Sequence, residues 1–351
     1  MDQQLEVGFL SETLVTGGLG FIGSNLSDYL LSKTEDTVII FDNFSRQNVI
    51  RNKEWLEQKY RNNPRLKIIK GDIRNIELLK KNMADVTKIF HLAAQVAVTT
   101  SVLDPISDFE TNAYGTLNVL EAVRQLNIDP CLFLTSTNKV YGRLEGYEVV
   151  EEEYRYDFEE YKQGVSEDTP LDPHSPYGCS KYCADSYFKD YQRIYGLKTL
   201  VFRMSCIYGY RQFGTEDQGW VAHFIISSVL NKALTIYGDG KQVRDILFIE
   251  DLINAMQLAL DHINEIKGRV YNIGGGPQNT ISLLELIEIL EQLLNHKIEY
   301  KFEDWRPGDQ KVYYTNTQNA KRDFNWEPLI TKEDGVQKLF NWIRTNLKLY
   351  K

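Results

Sequence analysis

A short apolar run, Thr13-Leu14-Val15-Thr16, leads into Gly17-Gly18-Leu19-Gly20-Phe21-Ile22-Gly23 and then a helical pattern through Leu26, Tyr29 and Leu30. No other stretch restricts the fold as much. The run predicts a buried strand, and glycines at 17, 20 and 23 suit a tight turn into a helix. They give backbone room to approach a pyrophosphate, allow close helix–strand packing, and put phosphates at the positive end of the helix. A tight turn with a purely structural purpose would carry the same glycines. The next strand, Thr37-Val38-Ile39-Ile40-Phe41, ends in Asp42, about twenty residues beyond them. A carboxylate there accepts hydrogen bonds from an adenosine ribose and repels a 2′-phosphate, favouring NAD over NADP. Arg46 works slightly against that preference.

Lys67-Ile68-Ile69-Lys70-Gly71-Asp72 and Lys88-Ile89-Phe90-His91-Leu92-Ala93-Ala94 supply two more strands, with a helix near Ile76 to Met83 between them. Asp72 is placed to contact adenine, and Ala93 and Ala94 leave space for a cofactor beside the backbone. His91 reads as packing at a strand end. A helix is expected from about Ser107 to Leu126, then the strand Leu132-Phe133-Leu134-Thr135, another at Thr199-Leu200-Val201-Phe202-Arg203, and less regular chain beyond. Alternating strands and helices imply an α/β fold with a doubly wound, largely parallel sheet, its ligand lying beyond the carboxyl ends of the strands. Residues 143 to 172 read as a long solvated loop, either a surface excursion or a subunit contact. In the smaller lobe, Ser282 and Glu285 have capping-box spacing ahead of a stripe of leucines and isoleucines.

The chemistry centres on Ser175-Pro176-Tyr177-Gly178-Cys179-Ser180-Lys181, which sets a tyrosine one helical turn before a lysine. A phenol with a pKa of about 10 is a poor base at neutral pH, and an adjacent ammonium stabilises its phenolate. An ordinary surface Tyr/Lys pair has the same spacing. The segment Ser136-Thr137-Asn138-Lys139-Val140-Tyr141-Gly142, past a strand end, would turn its hydroxyls toward the crevice. Lys241, Arg244 and Arg306 lie beside turn-like Gly and Asp, which suits phosphate contacts and equally suits surface ion pairs.

With 351 residues, a net charge of −9 and 42% hydrophobic residues, the chain has ample core but not the broad basic surface of a nucleic-acid binder. No apolar run approaches the roughly twenty residues that span a bilayer, and Met1 to Glu12 does not resemble a secretory signal. A cytoplasmic location is therefore expected. Cys131, Cys179, Cys183 and Cys206 have no metal-like spacing and read as reduced thiols, with no metal site.

Taken together, the glycine triplet, Asp42, Thr137, and Tyr177 with Lys181 resemble an extended short-chain dehydrogenase/reductase of the nucleotide-sugar epimerase and dehydratase group, from Thr13 into the 340s. Gln95 to Ser101, Ser136 to Gly142, His174 to Lys181, and Arg211-Gln212-Phe213 with Asp217 to Val221 are similar, more narrowly, to epimerases that invert C2 of a CDP-linked 3,6-dideoxyhexose. This resemblance implies a Rossmann-type domain over 12–204 and 238–276, and a smaller mixed α/β substrate lobe over 205–237 and 277–347. It implies NAD held by Gly17, Gly20, Phe21, Ile22 and Gly23, by Asp42 and Asn43, by Asp72, Ile73 and Ala93, and by Tyr177 and Lys181. Tyr177, Thr137 and Lys181 would be catalytic, and Asn138, Ser205, Arg211, Arg244 and Arg306 would face a CDP-sugar in a homodimer or homotetramer.

Two departures stand out. Many relatives have Asn where Arg203-Met204-Ser205 leads to Cys206, and dehydratases place Asp-Glu after the active-site Thr, where this chain has Asn138-Lys139. Other readings are a UDP-hexose 4-epimerase on the same scaffold and a non-catalytic sensor of dinucleotide.

Overall fold

The computed structural model describes residues 11–306 and 309–350. Seven strands form one sheet in the order Val270–Ile273, Lys198–Met204, Cys131–Thr137, Val86–His91, Glu12–Thr16, Thr37–Asp42, Leu66–Lys70, and every neighbouring pair is parallel. The order reverses between Glu12–Thr16 and Val86–His91, which opens the ligand crevice of a doubly wound fold at their carboxyl ends. These central strands are apolar along their length because helices cover both faces. On one face Leu26 and Leu30, from the helix Phe21–Lys33, pack against Val15 and Ile40. On the other, Val119, Leu120 and Val123 of the helix Gly115–Leu126 join Ala184 and Phe188 of the helix Ser175–Tyr195.

The helix expected from Ser107 to Leu126 is interrupted. Pro105–Phe109 and Gly115–Leu126 are α-helical, but Glu110–Tyr114 between them is a π-turn, a form that recurs beside functional sites. The expected loop 143–172 also differs. Val149–Glu151 and Tyr156–Phe158 pair as an antiparallel hairpin, and Tyr156, Phe158 and Val165 share a small core with Tyr141, Tyr313 and Tyr314. Tyr156 Oη donates to Asp239 at 2.5 Å, and Lys241 Nζ reaches Glu151 at 2.7 Å. Aromatic burial thus holds the acidic segment onto the smaller lobe.

In that lobe Val243–Phe248 is the central strand, flanked by Thr280–Ser282, Val312–Tyr313 and Cys206–Tyr208. Of the segment 238–276, therefore, only Val270–Ile273 joins the large sheet. The helix Leu283–Leu294 begins with the anticipated capping box of Ser282 and Glu285.

Under the large sheet, Arg203 and Asp185 form a two-pronged ion pair at 2.8 and 3.2 Å, both side chains almost fully buried. Arg203 also donates to Tyr141 Oη, which donates to Asn272, so one guanidinium ties together three elements. Removing either partner leaves a buried charge without compensation. Asp185→Asn is expected to lower stability by about 3–5 kcal/mol, read from the midpoint of urea unfolding.

Candidate active site

The glycine run follows the carboxyl end of the strand Glu12–Thr16, where the crevice opens. Gly17 has φ +66°, and a Cβ there would sit 2.7 Å from the Ala93 amide nitrogen. At Gly23 a Cβ would meet Gly17 O and Gly18 Cα at 2.5 Å, so only glycine lets the helix start this close to the strand. Phe21 and Ile22 form the first turn of that helix beyond Gly20. Asp42 ends its strand in a buried position and accepts from Leu19 N at 3.1 Å and Phe44 N at 2.9 Å. Burial pushes its pKa up, while those two amides and Arg46 oppose the rise. Asn43 donates to Asp72 at 3.1 Å. Hydrogen bonds from Arg74 are the main reason the Asp72 carboxyl is held down at about 2. Ile73 packs its side chain into the core against Gly115, and its carbonyl accepts from Asn118 Nδ2 at 3.1 Å. A cradle that any Cβ would fill, with a carboxylate at the next strand end, fits a dinucleotide with a free ribose hydroxyl pair.

At the other end of the crevice the strand Cys131–Thr137 and the helix Ser175–Tyr195 bring Thr137, Tyr177 and Lys181 together. Burial pushes the Tyr177 phenol up to about 12; the Thr137 hydroxyl and Arg46 pull against that, and Asp108 adds to it. Lys181 is buried, donates to Thr135 O at 2.6 Å, and is lowered to about 8 by burial, with Asp185 and Asp108 opposing. Thr137 Oγ1 donates to Asn138 Oδ1 at 3.3 Å and accepts from Lys139 N at 3.2 Å. Of the neighbouring hydroxyls, Thr135 faces His91 O and Ser136 faces Asp185, so Thr137 is the one presented to the phenol. His91 is structural, as expected. It bridges Thr16 and Thr116 at 2.7 and 2.9 Å, and burial, then Lys181, keeps it neutral with a pKa near 3.

Sequence reasoning missed the support beneath this pair. Asp108, fully buried, accepts from Ser180 Oγ at 2.5 Å, Gln95 Nε2 at 3.0 Å and Asn112 Nδ2 at 3.2 Å. A carboxylate four residues before an asparagine, one helical turn apart on one face, was the available signal.

The arginines separate into two groups. Arg244 is buried and donates to Asp309 at 2.6 Å. Arg306 lies over the Tyr237 ring, 4.1 Å from its centroid, and donates to Glu216 O. Pro307 and Gly308 of its expected turn lie outside the described residues. The turn Thr215–Gln218 also receives Arg46, through Gln218. Arg211 is elsewhere. Its guanidinium stacks 3.8 Å from the Trp55 ring centroid and donates to Asn52 Oδ1, with burial lowering its pKa to about 10. It braces the helix Val49–Lys59 and does not join Arg244 and Arg306. Ser205 likewise donates to the buried Asp245 carboxylate and carbonyl, which ties it into the smaller lobe.

The lowered Lys181 has a measurable consequence in cofactor-free protein. The unfolded lysine titrates near 10.5 and the folded one near 8, so between those values the unfolded chain holds a proton that the folded protein lacks. Relative to Lys181→Met, the unmodified protein should gain roughly 3 kcal/mol of stability as pH rises through that window. Parallel urea titrations from pH 7.5 to 10.5 check the sign.

A model of the GDP-mannose 4,6 dehydratase family matches residues 14–339. The chain is 46% identical to CDP-paratose 2-epimerase of Salmonella typhi, over 94% of this chain and 98% of that protein. It is 34% identical to a putative UDP-glucose 4-epimerase of Methanocaldococcus jannaschii, over 95% and 98%. Among solved structures, UDP-glucuronic acid 4-epimerase from Bacillus cereus, in complex with UDP-glucuronic acid and NAD, superimposes with a TM-score of 0.83 at 30% identity, covering 95% of this chain and 99% of that one. DesIV, a dTDP-glucose 4,6-dehydratase from Streptomyces venezuelae, gives 0.82 at 27% identity, covering 96% and 98%. With family model, relatives and topology in agreement over nearly its whole length, the chain belongs to the GDP-mannose 4,6 dehydratase family, within the extended short-chain dehydrogenases/reductases.

Proposed function

We propose that the protein is an NAD-dependent epimerase that inverts C2 of a CDP-linked 3,6-dideoxyhexose through a transient 2-keto sugar, acting in the cytoplasm. The observation that carries this reading is the 46% identity, over almost the full length, to a relative named for C2 epimerisation of CDP-paratose. The site is consistent with it. Tyr177 and Thr137 stand together as a proton acceptor and a polarising hydroxyl, while Asn138 and Lys139 follow Thr137 where the loss of water would call for carboxylates.

NAD fits the cradle of Gly17, Gly20 and Gly23 with Asp42, Asn43 and Asp72, and when bound it supplies the acceptor and donor of hydride for C2. Tyr177 takes the proton from the C2 hydroxyl and returns it after inversion. Thr137 donates to the same oxygen as its charge changes. Lys181, one turn along the helix and bonded to Thr135 O in the ligand-free site, would hold the nicotinamide ribose and, with cofactor bound, would favour the phenolate. Arg244 and Arg306 hold the diphosphate, so the sugar can turn while its nucleotide stays anchored. Arg211 and Ser205 serve this site through the packing around it. Val102, Leu103, Ile106, Phe109, Ile194 and Tyr195, exposed on neighbouring helices, offer the apolar surface for a homo-oligomer.

Three measurements test the reading. Tyr177→Phe should abolish turnover while NAD content is retained, since it removes the acceptor and little volume. Asp42→Ala should narrow the preference for NAD over NADP, measured by direct binding. Finally, CDP-paratose deuterated at C2 should give a product that keeps its label, with none acquired from D₂O in the converse experiment. Solvent hydrogen at C2, or inversion at C4 with a UDP-hexose, would replace this reading with another.

A further inference from the structure

Two residues beyond Thr137 stands a cation with no partner among the described residues. Lys139 is half-buried, its amide donates to Thr137 Oγ1 at 3.2 Å, and its ammonium lies within reach of the charges of Arg244, which opposes it, and Asp309, which favours it. The Asp309 carboxylate is already engaged by Arg244 Nη2 at 2.6 Å. Among the described residues Lys139 Nζ has neither a hydrogen bond nor an ion pair. The Asp309 carboxylate is paired with Arg244 and not with Lys139. A half-buried ammonium beside a second cation is stabilised when an anion joins it.

We propose that Lys139, together with Arg244, holds the phosphate attached to C1 of the sugar, and that this contact sets C2 against Thr137 and Tyr177. The inference rests on the epimerase reading given above. Its geometric basis is the short path from Lys139 to Thr137. C2 is the ring carbon next to the phosphate-bearing C1, so a cation two residues from Thr137 meets that phosphate when C2 is the reacting centre. With C4 in the same place, C1 and its phosphate lie across the ring and out of this ammonium's reach. Lys139 is thus a specificity-determining residue, and a carboxylate at the same position would repel the substrate that it selects.

The test compares nucleotides that differ by the phosphate in question. NAD-loaded protein is titrated calorimetrically with CDP and with CMP, in unmodified form and as Lys139→Met, Lys139→Gln and Lys139→Arg. Loss of one charge-assisted contact should weaken CDP about 10- to 100-fold in the neutral variants. CMP should change less than about twofold, and Lys139→Arg should recover most of the CDP affinity. With CDP-paratose the neutral variants should raise KM and release some product inverted elsewhere than C2. Equal losses for CDP and CMP, or none for either, would overturn the proposal. If Lys139→Met fails to fold, Lys139→Gln and Lys139→Arg carry the same comparison. If the unmodified protein prefers UDP or acts at C4, the substrate reading and the C2 argument fall together, while UDP against UMP still decides whether Lys139 binds the phosphate.

Discussion

One buried ammonium, Lys181 Nζ, sets conditions that the surrounding structure has to meet. It sits at the carboxyl end of a central strand, bonded to Thr135 O and favoured by the charges of Asp185 and Asp108. A lone charge there would cost several kcal/mol. The two carboxylates offset that cost, and each must in turn be satisfied. Asp108 is met by Ser180, Gln95 and Asn112, and Asp185 by Arg203. The π-turn Glu110–Tyr114 brings Asn112 into reach of both Gln95 and Ser180. Much of the polar interior is therefore a consequence of keeping one cation below the nicotinamide site.

The balance also explains why the ligand-free phenol is so weak an acid. Burial and the nearby Asp108 both disfavour the phenolate, and Thr137 and Arg46 only partly compensate. The protein's own groups leave Tyr177 protonated. Proton transfer at neutral pH then depends on what occupies the crevice, which ties the chemistry to a loaded site.

Much of this was legible in the sequence because it is local. The glycine run, Asp42 at a strand end, and Tyr177 one turn before Lys181 each state their geometry within a few residues. The expected strands of the large sheet all formed, within a few residues at their ends. What could not be read depends on partners far away in the chain. Arg211 belongs beside Trp55, more than a hundred and fifty residues earlier, as its bond to Asn52 makes plain. The hairpin within 143–172 exists because tyrosines at 313 and 314 complete its core. The resemblance puts 238–276 in the large domain, and only its strand neighbours assign Val243–Phe248 to the smaller sheet.

The strand Lys198–Met204 lies in the large sheet, and two residues later Cys206–Tyr208 is already paired in the small one. The chain crosses back for Val270–Ile273 and leaves again for Thr280–Ser282. Neither lobe is a continuous piece of polypeptide. No single cut frees one from the other intact, and a gene fragment encoding the nucleotide-binding half would lack an edge strand of its own sheet. The two halves are inherited, synthesised and lost together, which fits a site whose cofactor and substrate contacts must stay in fixed register.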